Sequence, residues 1–147
     1  MFNENFAQSE ILHHSEVFIR RTQLCWKLSR WQDQLPPPLA IITSQEMAES
    51  QHTQGRPERF RIYLTLRCLH LKVLLHRRVL EVFMVHRQDR DIGTSEAGFM
   101  QEHGMAALKT CLNSCTEIIG IVAHVVSASA KGITLCNAWW LTAYYSI

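Results

Sequence analysis

Histidine and cysteine are the side chains here best suited to metal binding, nucleophilic attack or proton transfer at neutral pH, and the chain carries eight histidines and five cysteines. A metal held from one helix needs ligands about four residues apart, which puts them on one face. His70 and His76 are six apart, about 600° around a helix, and diverge. His13 and His14 are adjacent and diverge too. Cys111 and Cys115 have the right spacing, with His103 and Cys136 the obvious further ligands. Both also continue an apolar stripe, where free cysteine behaves as a small buried hydrophobe, and that reading is preferred. No metal site is assigned. The sequence contains no P-loop, dinucleotide fingerprint, nucleophile elbow or HExxH, and its acids are not arranged in pairs, so no catalytic residue is assigned either. Arg77 and Arg78, with Arg87 and Arg90 beyond, read as cations meeting the negative end of a helix rather than as an anion patch. A net charge of +2, spread without a basic block, is too weak an imbalance to predict a phosphate-backbone binder, and no direct nucleic-acid binding by this chain is expected.

The elements that carry these residues are helical. Leu64 to Leu80, LTLRCLHLKVLLHRRVL, lies inside a predicted helix over 59–87 with apolar residues nearly all round, which marks a buried helix. Before it, Val17, Leu24, Leu28, Trp31 and Leu35 mark one face of a helix over 9–35 that Pro36, Pro37 and Pro38 terminate. Residues 40–58 turn polar and read as a loop that stays outside the core. A third helix is predicted over 95–130, closed by Lys131 and Gly132, and a fourth over 137–147, AWWLTAYYSI. No period-two strand is present, so the fold class is all-α: a multi-helix bundle of about four helices with a polar loop after the first. The aromatic load of Trp139, Trp140, Tyr144 and Tyr145, at roughly 150 to 250 Å² each, needs covering. The 147 residues therefore read as a fragment of one larger helical domain. An odd number of cysteines in apolar segments points to a reducing compartment. The first ten residues, MFNENFAQSE, lack the pattern of a signal peptide. The longest apolar run, Ile118 to Ala130, is shorter than the roughly 20 residues that span a bilayer, so no membrane contact is expected.

Four segments in order resemble the regulatory (middle homology) region of fungal binuclear zinc-cluster transcription factors. LSRWQDQLPPPL is similar to its helix-ending signature through Trp31, Leu35 and Pro36. RFRIYLTLRCLHLKVLLHRRVL is similar to its long helix through Leu74, Leu75, His76 and Arg77, with Arg78 where the family has proline, so that helix loses its usual stop. CLNSCTEIIGIV resembles its cysteine-bearing helix through Cys111, and AWWLTAYYSI its aromatic helix through Trp139 and Trp140. The resemblance implies a nuclear regulator of RNA polymerase II transcription. Its zinc would sit in a separate DNA-binding module, leaving no cofactor in this chain. Its partners would be other parts of the parent regulator or the transcription machinery. A small-molecule effector would use a pocket for which Trp31, His76, Trp139, Trp140 and Tyr144 are candidates, although tryptophans in helical cores more often fill space. Two other classes stay open: a small helical enzyme using a buried cysteine or histidine, and a helical membrane protein fragment over Ile118 to Ile147.

Overall fold

Asp33 closes the first helix just ahead of the proline run: the Leu35 N–H turns back to the Gln32 carbonyl at 3.2 Å, and Pro36, with no N–H of its own, leads into a 3-10 turn at Pro37–Leu39. The structure, a computed structural model, describes residues 2–49, 56–86 and 94–130. Its helices are α1 Phe2–Asp33, α2 Ser44–Glu49, α3 Arg56–His86 and α4 Thr94–Ala130. Among the described residues there are no strands, and the fold class is all-α as the periodicity requires. Arg78 lets α3 run on to His86, so Arg77 and Arg78 lie well before the helix end. They pair instead with Glu81, four and three residues further along the helix, each at 3.0 Å and on an exposed face. The predicted helix over 137–147, the Lys131 and Gly132 stop, and Arg87 and Arg90 lie outside the described residues.

The chain divides into two compact units, one from Met1–Trp31 with Leu71–Asn113 and one from Gln32–His70 with Ser114–Ile147. In the first, Phe18, Val79 and Ala107 form a small core edged by Leu80 and Val82. The buried positions Gly104, Ala107 and Cys111 of α4 step by three and four, the seam spacing of packed helices. They are small, which lets the α4 backbone come close: a Cβ on Gly104 would stand 2.2 Å from Cδ2 of Phe83. Cys111 Sγ lies 3.9 Å from the Val73 carbonyl.

In the second unit Ile62, Leu66 and Leu69 of α3 pack with Ile121, Val125 and Ala128 of α4, and Ile42 and Met47 complete the cluster. This corrects the expectation that 40–58 stays outside the core. Met47 is 3% exposed, and α2 forms within the segment read as loop. The physical reason is a capping box, T-S-Q-E at 43–46. The Glu46 N–H donates to Thr43 Oγ1 at 3.1 Å, and the Thr43 N–H donates to Glu46 Oε2 at 3.0 Å. Side chains from the long helices then satisfy the non-helical backbone. Arg61 Nε donates to the Ala40 carbonyl at 2.6 Å, the Ile42 N–H donates to Thr65 Oγ1 at 3.2 Å, and the Ser44 N–H donates to Glu117 Oε2 at 2.7 Å. Gly120 leaves room for this crossing, since a Cβ there would meet that of Ser44 at 2.7 Å. Glu46→Ala is expected to cost about 1 kcal/mol, the usual worth of a helix cap, measured by chemical denaturation. An unchanged midpoint would show that the box contributes nothing.

Two further expectations fail. The first helix does not bury its most apolar stripe: Trp31 is 40% exposed and Leu24 is exposed as well. The less exposed positions are Phe18, Arg21, Cys25 and Leu28, a seam at steps of three, four and three. Likewise α3 is not covered all round, with Leu74 at 48% and Phe60, Leu71, Met84 and Val85 also exposed. In α4 the window Gln101–Ala128 is long and apolar enough to cross a membrane by length and composition, which the run of Ile118 to Ala130 alone understates.

Candidate functional site

On the first unit, one face of α1 and one residue of α4 enclose an open groove of about 790 Å³. Phe18, Thr22 and Trp26 form one row at steps of four and Ile19, Gln23 and Lys27 the neighbouring row, so together they line one side of α1, and His103 closes the far side. The Phe18 and His103 rings meet edge to face, their centroids 5.5 Å apart and their planes at 82°. Thr22 Oγ1 donates to the Phe18 carbonyl at 2.9 Å. At the upper end the Arg30 guanidinium lies 5.3 Å from the Trp26 ring centre, a cation–π contact that holds an otherwise exposed indole. The groove is mainly apolar with a cation at one edge, a surface suited to an apolar body bearing an acidic group.

The inward seam of the same unit is polar. His76 is 8% exposed, and its Nδ1 donates to the Lys72 carbonyl at 2.7 Å, which leaves Nε2 as the acceptor. Burial holds its pKa below the ordinary 6.5. The Lys72 carbonyl offsets part of that shift, while Arg21 and Lys72 add to it. Arg21 and Lys72 also bear on Cys25, but burial outweighs them and pushes its thiol above the ordinary 9.0. Cys25 therefore stays protonated at neutral pH, the opposite of an activated nucleophile. A histidine whose pKa falls on folding is neutral in the native state while the unfolded chain binds the proton, so its contribution to stability is complete above pH 6.5 and declines as pH falls below it. Thermal melts from pH 7.5 down to about 5 should show this decline, and His76→Leu should flatten it; an equal slope in the variant would refute the assignment.

Trp31 and His76 both belong to the first unit, but neither lines the groove. Trp139, Trp140 and Tyr144 lie outside the described residues, as does Cys136. Leu35 is half-buried and Pro36 exposed in the second unit, while Leu75 is half-buried, Arg77 exposed and Cys111 buried in the first. Cys111 is buried and Cys115 exposed, so the pair does not face one ion. Among the described residues no three His, Cys, Asp or Glu side chains are grouped to hold a metal. The groove was missed because Ile19, Gln23 and Trp26 fall off the apolar stripe of α1; the signal was a tryptophan with an arginine four residues on.

Over 120 residues, 81% of its length, the chain is 27% identical to "Transcription factor FBD3" of Gibberella moniliformis and 30% identical to "Transcription factor FBD3" of Fusarium pseudograminearum. Both relatives carry the name of a transcription factor. The match covers 16% of either relative, so the chain spans about a sixth of their length. No family model matches the chain, and no solved structure matches it significantly.

Proposed function

We propose that this chain is part of the regulatory region of a fungal zinc-cluster transcription factor, acting in the nucleus by packing helices against other parts of its parent or against the transcription machinery. The observation that carries this reading is the 120-residue match to two proteins named as transcription factors. The all-helical fold is consistent with it, and so are the apolar side chains exposed on α1, α3 and α4, which give a partner helix something to bury. On this reading the chain performs no chemistry, zinc and DNA contacts belong to another part of the parent, and the groove at Phe18 and Trp26 is where a small effector would enter.

The test is a reporter fusion in which the chain sits between a heterologous DNA-binding module and an activation segment. The intact chain should alter reporter output, and Val79→Asp, which places a charge in the core of the first unit, should abolish that effect. Equal output from both at equal abundance would count against regulation. A second reading rests on α4, whose Gln101–Ala128 window is only 28% buried and long enough to span a bilayer. Recovery of the chain without detergent would eliminate it.

A further inference from the structure

Helix α4 carries two rows of residues at helical spacing, and only one of them is buried. The buried row steps by three and four from Gly104 to Ala128. The outer row stands one residue further on at each step, about 100° around the helix. In it Met105, Leu112, Ile119 and Val126 fall seven apart and are 48%, 59%, 68% and 56% exposed. Leu108, Cys115 and Val122 stand between them, Cys115 exposed and the other two half-buried. The outer row is therefore apolar at every step of three and four across three heptads, with no charged residue in it, which is the seam pattern of a coiled coil. Of the positions that flank it between 105 and 126, Lys109 alone is charged, so two identical copies can meet without the repeated like charges that keep a helix from pairing with itself.

We propose that a second copy of this chain covers the outer row, α4 pairing with α4 about a two-fold axis. A two-fold interface uses the same patch on both partners, so the patch has to match itself, and an uninterrupted heptad row does. The other long helices offer no matching row among the described residues. On α1 the row of Ile19 and Trp26 also carries Gln23 and Arg30, and on α3 the row of Leu71 and Leu74 carries Arg67, Arg78 and Glu81. The area fits a modest interface. Side-chain transfer energies put on the order of 100 Å² of apolar surface on each of the four most exposed residues, and the residues between and beside them bring the pair to roughly 1,200 Å² in total, the lower edge of specific interfaces. The dimer is therefore concentration-dependent, with Kd on the order of 10 μM, and in more dilute solution the outer face of α4 stays in water. Self-association of this kind does not rest on the transcriptional reading.

The experiment is sedimentation equilibrium of the intact chain without detergent, from roughly a tenth of that Kd to about thirty times it. The expected result is a reversible passage from monomer to dimer within the range. Ile119→Asp, at an exposed position, should leave the Tm of the dilute monomer unchanged and raise Kd about a hundredfold, because pairing would bury a carboxylate against its own copy. Leu112→Asp, also exposed, should do the same. Cys115 reports the geometry. It is the middle one of the seven row positions, so it lies beside its own copy whether the two helices run parallel or antiparallel. Diamide should then oxidise the two thiols to an interchain disulfide, being itself reduced to the hydrazine. The linked dimer should be missing from Cys115→Ser and strongly reduced in Ile119→Asp. The proposal is overturned if the chain stays monomeric throughout, which would leave the row to another segment of its parent, or if it stays in solution only with detergent, which would give the row to a bilayer. It is equally overturned if the dimer persists in both aspartate variants, or if Cys115→Ser links as well as the parent chain.

Discussion

Gly104→Ala is expected to destabilise the chain even though alanine is the better helix former. An exposed helical glycine gains about 1 kcal/mol on replacement by alanine, because the unfolded chain loses freedom and the helix gains propensity. At Gly104 that gain is outweighed. The new Cβ would sit 2.2 and 2.3 Å from Cδ2 and Cγ of Phe83, whose ring is 4% exposed and has little room to swing away. Relieving such overpacking costs roughly 1 to 3 kcal/mol, and Gly104→Val should be worse. Gly98 supplies the control within the same helix: a Cβ there meets nothing within 4 Å, so Gly98→Ala should stabilise. A cycle with Phe83→Ala completes the argument. Removing the ring should cost several kcal/mol alone but much less in the Gly104→Ala background, since alanine then occupies space the ring has left. Urea denaturation of the four proteins measures all these terms. If Gly104→Ala is as stable as the parent, the close approach of α4 to Phe83 is wrong.

The helical fold and the two long core helices could be read from periodicity because spacing at three and four survives any choice of partner. Which face turns inward could not. On α1 the stripe of Leu24, Leu28 and Trp31 is more apolar than the true seam of Phe18, Arg21, Cys25 and Leu28, and hydrophobicity alone selects the wrong one. A helix contains no information about which neighbour it will meet. The segment after Pro38 illustrates a different failure: its composition is polar, but T-S-Q-E is a local start signal with a defined geometry, and Ile42 and Met47 flank it at core positions. The polar cluster was invisible for a third reason. Arg21 and Lys72 look like ordinary surface cations in sequence, and only the tertiary placement of α1 and α3 removes Arg21 Nε and Nη1 from water.

Helix α4 sets a buried and an exposed position two residues apart against each other, and that gives the second large effect. Ile121 is fully buried among Ile62, Leu66, Val125 and Met47, whereas Ile119, two residues earlier, is 68% exposed. Ile121→Ala removes a branched side chain that the surrounding long helices cannot collapse to fill, at an expected cost of roughly 2 to 5 kcal/mol. Ile119→Ala should change stability by less than about 0.5 kcal/mol, as surface substitutions do. Ile119 is not an isolated case: Leu112 and Val126 lie seven residues to either side and are exposed too, a spacing that keeps all three on one face of α4. Paired denaturation of both variants therefore tests the register of α4. Equal losses for the two substitutions in the isolated chain would place the helix in the wrong rotation.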